Sequence, residues 1–448
     1  MQASRTMRFT STAAILAMFL GLAAVAGAQS ENKERKENTS KPAAGNRSEH
    51  GGNNGHENGG NAGHENDAGR ESTTRTSTTT RSVTTVRDVH TTSGANVHTG
   101  FNGNRTVTAY RPGNTRIVAV RGRAGFVEHP FTFRGATFTR RTYVFNGRVY
   151  GGFYRGFGFR GVMLNVYAPG FFFRPAFYGW AYNPWPRPIV FAWGWGPSPW
   201  YGYYGYYFQP YPSYPSAAFW LTDYMISSDL QASYAAQQDN GGYGPPPQDG
   251  QAALTPDVKQ AIADEVRNQL ALENQEAQQS AQQQNIDPGS SGIARMLSDG
   301  QPHAFLVGGP LDVTDLSGAA CGLSEGDVLE LRTDPPPNAP QVALIVAATK
   351  GGNECQRGNT VWVGYDALQE MQNQMRAGID QGLQTLQSQQ GSGGLPTAPP
   401  AAQGQATPAP YAAIAPPPDP NAATEIQQEQ QQADQANTQE QAAPPAQP

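Results

Sequence analysis

A hydrophobic period of two dominates residues 104–168. The stretches "RTVTAY", "TRIVAVR" and "FTFRGATFTRRTYVFNGRVYGGFY" alternate β-branched or aromatic residues with polar ones, which predicts strands. Asn146-Gly147 lies between two alternating runs and supplies the positive φ angles of a type I′ turn, so a hairpin is expected there. "GVMLNVY", residues 161–167, reads as another strand.

Helical spacing appears further on. In "SAAFWLTDYMISSDLQASYAAQQ", 216–238, residues Phe219, Tyr224, Met225, Leu230 and Tyr234 form an apolar stripe. A stronger helix is expected over 255–285. Thr255 is its N-cap, Pro256 takes the first helical position, and Val258, Ile262, Val266 and Leu270 recur every four residues. Such a narrow stripe suits either docking on a neighbouring domain or a short self-associating coil.

Residues 290–390 read as a small β domain. "HAFLVGG", "LDVTD", "GDVLELR", "QVALIVAAT" and "NTVWVG" are short, β-branched and broken by Gly, Asn or Pro, which predicts a small barrel or roll. A helix follows, with Asp366 as N-cap and Leu368, Met371, Met375, Ile379, Leu383 and Leu386 on one face. Gly378 and Gly382 beside that stripe imply close approach to the sheet.

Elsewhere the periodicity fails. Residues 169–235 hold an aromatic Gly/Pro-rich block with an internal repeat, "GWAYNPW" and "GWGPSPW". Gly and Pro favour turns, so regular helix is not expected before residue 216. Three readings stay open: rings packed on one another, an aromatic face for sugar rings, or an adhesive segment in which Arg meets Tyr and Trp. Residues 29–103, 236–254 and 391–448 read as disordered linkers and a Pro/Ala/Gln-rich disordered tail, because they offer too little apolar surface to offset ordering entropy. His50, His56 and His64 lie near Glu residues in the first of these, but nothing fixes a coordination geometry, and no metal or other cofactor is expected. The fold class is therefore a mostly disordered, low-complexity chain with one small β-rich domain and a β/turn-rich aromatic region.

Composition adds a destination. Arg5 and Arg8, the apolar run 13–25 and "AGA" at 26–28 match a cleaved signal peptide over 1–28. No later apolar run is long and uninterrupted enough for a spanning helix, so an integral membrane protein is not expected. The mature chain is expected to be secreted or to lie in the periplasm or cell envelope. There Cys321 and Cys355, the only cysteines, should pair as a disulfide.

The net charge of −5 hides an asymmetry. Residues 101–200 carry a net charge of about +12, with every positive charge from Arg, and 201–448 a net charge of about −19. Arg134, Arg140, Arg141 and Arg148, with Trp180, Trp185, Trp195 and Trp200, are the candidate ligand-binding residues. Anionic or neutral envelope polysaccharide, or another envelope protein, is the expected partner, with no nucleic acid; self-association stays open. The acidic half is a competitor that could occupy the Arg surface in cis. No phosphate loop, nucleophile elbow or metal-binding helix motif is present, so catalytic residues and enzyme activity are not expected. His303 reads as a structural histidine; Asp312, Asp315 and Asp327 have no evident pairing.

"GLSEGDVLEL", 322–331, resembles the G-L-x-x-G-D-V stretch of PDZ domains, and an SH3-like barrel fits the strands as well. The signal, the block ending "YPSYPSAAFWLTDYMISSDLQ" and "LTPDVKQAIADEVRNQLALE" together resemble uncharacterised exported bacterial proteins. That resemblance implies no activity. The expected function is a non-catalytic envelope or secreted interaction protein, and the alternative is a glycan binder with a Trp/Tyr platform.

Overall fold

Eight strands follow one another as a single antiparallel meander in the computed structural model, which describes residues 87–442 apart from 92, 102, 146, 240–253 and 352–353. They are β1 Arg87–His90, β2 Asn96–Thr99, β3 Arg105–Arg111, β4 Thr115–Val120, β5 Gly125–Phe133, β6 Ala136–Phe145, β7 Arg148–Phe159 and β8 Val162–Ala168. The expected hairpin is present: Phe145 pairs with Arg148, and Gly147 between them has φ 73°. Asn146 lies outside the described residues, as do the expected signal peptide, the His-rich stretch and most of the expected 236–254 linker.

β1 and β2 correct the expectation of a disordered linker up to residue 103. Val89 pairs with Val97, and Ala95 and Val97 are buried. Two β-branched residues in register are enough when a neighbouring strand supplies the rest of the sheet.

β9 Phe171–Phe172 follows, then α1 Pro175–Tyr182, α2 Pro199–Tyr204, α3 Ala217–Asp239, α4 Pro256–Ala281, α5 Pro288–Ser291 and α6 Ile293–Met296. α1 and α2 overturn the expectation that the aromatic block avoids helix. Pro175 and Pro199 begin them, where a missing N–H breaks no helical hydrogen bond. α4 starts as expected, with the Thr255 hydroxyl accepting from the Val258 N–H at 3.4 Å.

A second antiparallel sheet comprises β10 His303–Leu306, β11 Leu311–Asp315, β12 Ala320–Leu323, β13 Val328–Leu331, β14 Val342–Ala348 and β15 Thr360–Val363. Its order is β10-β13-β14-β15-β11-β12, an open sheet of six strands rather than a small barrel. All five expected strands are present. β12, "ACGL", is too short and Gly-broken to show a period.

α7 Tyr365–Gln389 buries the expected stripe, Leu368 through Leu386, but Asp366 is not its cap. Gly364 holds that position and Asp366 lies in the first turn. α7 also binds the six-stranded sheet to the rest. Asn373 Oδ1 accepts from the Tyr167 N–H of β8 at 2.8 Å. Gly378 and Gly382 make way for α3, not for the sheet: a Cβ on Gly382 would lie 2.3 Å from Leu221 Cδ2. Residues 290–390 therefore share their core with the meander and the aromatic block, and Leu164 and Val166 of β8 lie within it.

The described part of the 391–448 tail is ordered, contrary to expectation. Leu395, Ala398, Ala402, Ala409 and Tyr411 are buried in the aromatic core, and β16 Thr407–Pro408 pairs with β9. α8 Ala422–Ala442 lies across the meander, packing on β3 to β6. Small residues and Pro cannot build a core of their own, but they lose little side-chain entropy when laid on an existing one.

Cys321 of β12 and Cys355 form the expected disulfide, closing a sequence separation of 34 at the edge of the second sheet. Replacing both by Ser should lower the unfolding free energy by about 3–4 kcal/mol in a denaturant titration, the loop-closure entropy of such a bridge. An unchanged midpoint would refute that contribution.

Candidate functional site

Strand pairing lines up three charged residues across the meander. Arg116 of β4 lies opposite Glu128 of β5, and Glu128 opposite Arg141 of β6. Arg116 grips Glu128 with Nε and Nη2 at 2.8 and 3.0 Å. Arg141 donates to Glu128 at 2.5 Å and to Glu370 of α7 at 2.6 Å, with its guanidinium against the rings of Tyr154 and Phe126. Burial pushes the Glu128 carboxyl up, but Arg141 and Arg116 outweigh it and hold the carboxyl below its usual range. Burial lowers Arg141 too, and Glu370 and Glu128 override that, keeping it firmly charged.

Three further arginines of the meander meet acids of the C-terminal half of the chain. Arg105 pairs with Asp434 and Arg111 with Glu429, both on α8. Arg123 pairs with Glu325, Nη2 to Oε2 at 2.8 Å. His129 and Asp419 lie 2.6 Å apart. Part of the charge asymmetry of the sequence is thus complementarity within the chain, with acids of the C-terminal half occupying Arg105, Arg111, Arg123 and Arg141 in cis.

The four candidate arginines have different situations. Arg134 is exposed, stacked on Phe133, and donates to the Gln283 carbonyl at 3.0 Å. Arg140 is half-buried over Phe153 and donates to the Pro416 carbonyl at 2.6 Å. Arg148 is exposed at the start of β7. Arg141 is buried, which removes it from any solvent-facing surface.

The four candidate tryptophans form no exposed row. Trp185 and Trp200 are buried, and Trp180 and Trp195 are half-buried. Trp180 packs on Trp185 with ring centres 5.7 Å apart, and Trp195 packs on Trp200 at 5.4 Å. Trp193 and Trp220, fixed by stacking at 4.8 Å, join Trp195 to the core. Of the readings left open for this block, the one with rings packed on one another describes the structure.

The remaining acids and histidines knit elements together. His303 is buried between Glu265 of α4 and Asp299, at 2.8 and 2.9 Å, as a structural histidine. His98 of β2 joins Asp88 and Asp312, tying the meander to β11. Asp315 caps its own turn, and Asp327 is buried against Lys350 at 2.6 Å.

Sequence reasoning missed Glu429 and Asp434, which meet arginines of the meander, and Asp419, which meets His129. A signal was there: Ala422, Ile426, Glu429 and Ala433 follow helical spacing in a stretch free of Pro. Beside them, between α8 and β4–β5, lies a polar cavity of about 350 Å³ lined by Arg111, Thr115, His129, Glu425 and Glu429. Among the described residues no helix is long and apolar enough to cross a membrane. No family model matches the chain, and neither a curated protein nor a solved structure is significantly similar to it.

Proposed function

We propose that this is an exported, non-catalytic interaction protein of the cell envelope or its surroundings, which holds an anionic envelope polysaccharide on the arginine-bearing meander sheet. One observation carries the reading: the sheet already binds acidic groups, those of its own distant C-terminal helix, through Arg105 and Arg111. The N-terminal sequence pattern and the disulfide accord with an oxidising compartment outside the cytoplasm. The glycan platform of four tryptophans has no support in the ring positions and is not retained.

The test is a binding isotherm of the full chain on an anionic polysaccharide. Affinity should fall steeply with salt, because screening shortens from about 10 Å at 0.1 M to about 3 Å at 1 M. Replacing the exposed Arg134 and Arg148 with Gln should flatten that dependence. Neutralising the competitor with Glu429→Gln and Asp434→Asn should raise affinity. Absence of binding at low salt in all of these proteins would sink the proposal.

A further inference from the structure

We propose that Lys350 and Asp327 become covalently joined: the side-chain amine condenses with the carboxyl, one water leaves, and an amide bond cross-links two neighbouring strands of the second sheet. Sheet register brings the two residues together. Asp327 immediately precedes β13, Lys350 lies two residues beyond β14, and Val328 pairs with Ala348 between them. Lys350 Nζ lies 2.6 Å from Asp327 Oδ1, and the carboxyl carbon is one bond further on. The Lys350 N–H also reaches Oδ1, at 3.2 Å, so the carboxyl is held from both its own strand end and the opposite one.

Both groups are shut away from water. Asp327 is 0% exposed and Lys350 is 2% exposed. The Tyr207 ring faces Nζ at 5.8 Å, and its hydroxyl donates to the Gly326 carbonyl at 2.7 Å. The Tyr206 hydroxyl donates to the Lys350 carbonyl at 2.9 Å. Two charges buried in this way carry a desolvation cost that their attraction offsets only in part. An amide in their place is neutral and needs only hydrogen bonds. Ser324 already supplies these. Its N–H donates to Asp327 Oδ2 at 2.8 Å, and its carbonyl accepts from Nζ at 3.4 Å. Fixed contact between amine and carboxyl also removes the entropic barrier that slows the same reaction between separate molecules.

The pair rests as ions, because Asp327 and Glu354 outweigh the burial that would lower Lys350. Burial raises the Asp327 carboxyl to about 8, with Glu354 adding to the rise against Lys350, so its protonated form is within reach near neutral pH. The reacting form is amine and carboxylic acid, one proton having passed from Nζ to Oδ1. Glu354 carries the next proton. Its Oε1 lies 3.3 Å from Nζ, and its Oε2 is fixed by the Thr349 hydroxyl and the Lys350 N–H, both at 3.0 Å. The following residue, Cys355, is anchored by the disulfide. The Nζ lone pair attacks the Asp327 carboxyl carbon and the C–N bond forms. Charge develops on Oδ2, where the Ser324 N–H stabilises it. Glu354 takes one proton from Nζ and returns it to Oδ1. The C–Oδ1 bond breaks, Oδ1 leaves as water, and one hydrogen stays on the amide nitrogen. Nothing is oxidised or reduced, and no other reactant is needed.

Mass spectrometry of the folded full-length chain, kept until its spectrum stops changing and then reduced, alkylated and digested with trypsin, tests this. Reduction is essential, because Cys321 and Cys355 join the same two peptides, 296–332 and 333–357. After reduction those peptides should stay joined, lighter than their sum by one water, and uncut after Lys350. Separate peptides with a cut after Lys350 overturn the inference. Lys350→Arg, which keeps the charge but removes the amine, should release them; peptides still joined in that variant would place the bond elsewhere and overturn the assignment. Glu354→Gln tests the proton carrier. Made beside the native chain by cell-free synthesis under oxidising conditions, it should gain the bond about a hundredfold more slowly or less. Equal rates in two chains that circular dichroism shows folded overturn the role of Glu354. The native chain alone decides whether the bond exists, so a variant that fails to fold does not spare the inference.

Discussion

Arg141→Gln should destabilise the protein by about 3–5 kcal/mol, the penalty typical of removing one partner from a buried ion pair. The guanidinium is 2% exposed and is shared by Glu128 and Glu370. Without it, Glu128 keeps only Arg116, and Glu370 loses its ion pair from the meander. Arg141→Lys should fall between the two, because an ammonium restores the charge without the planar fork that reaches both acids. Arg148→Gln, at an exposed site on the next strand, should change stability by no more than about 0.5 kcal/mol. Urea titrations of the three variants decide the matter, and equal small shifts for Arg141 and Arg148 would refute the buried role. The acid limb gives a second readout. Glu128 is held below its ordinary value of 4.5, so it contributes stability above that pH and loses it as the pH falls through the lower folded value. Arg141→Gln should therefore have a shallower acid limb than the native chain.

That contrast marks the boundary of what was legible in the sequence. The alternation of β3 to β8, the Asn-Gly turn, the Thr255 cap, the stripe of α7 and the cysteine pair are local signals, and each was readable from a few neighbouring residues. Arg140 and Arg141 show where local signals stop. Adjacent residues on a strand point to opposite faces, so one arginine must face each way. Which face is covered depends on α7 and the tail, which lie more than two hundred residues away. The aromatic block fails for a related reason. Trp, Tyr, Gly and Pro in short turns specify contact area, but composition does not distinguish a ring stacked on Trp220 from a ring offered to a sugar. The tail is the extreme case. It has few large apolar residues, and it is ordered because the aromatic core takes up Leu395 and Tyr411 while the meander supplies a floor for Ala422, Ile426 and Ala433.

Asp380→Asn should stabilise the protein at alkaline pH and lose that advantage in acid. The site is a buried knot where α4 and α7 meet β8. Arg376 donates to Glu276 at 2.6 Å and lies 3.7 Å from Glu273, while the Tyr167 hydroxyl donates to Asp380 at 2.7 Å. Three carboxyls thus face one guanidinium, and both oxygens of Glu273 and Oδ1 of Asp380 are buried without a hydrogen-bond donor. Carboxylates buried beside one another disfavour each other's charge, so a proton is retained among them. Burial raises Asp380 to about 7, against the lowering effects of Tyr167 and Arg376, and raises Glu273 well above its usual range. A raised folded value makes the knot's contribution full below the ordinary carboxyl range, near 3.8 for Asp380, and progressively lost as the pH rises towards about 7. An amide at position 380 supplies its own N–H to Glu273 and still accepts from Tyr167, so no proton has to be retained. Thermal unfolding should then put the variant above the native chain at pH 8 by about 1–3 kcal/mol, with the gap smaller at pH 5 and closing only as the pH nears 3.8. Arg376→Met, which strands all three acids, should instead lose about 3–5 kcal/mol at neutral pH. An Asp380→Asn effect of the same sign and size at pH 5 and pH 8 would show that no shared proton holds the knot together.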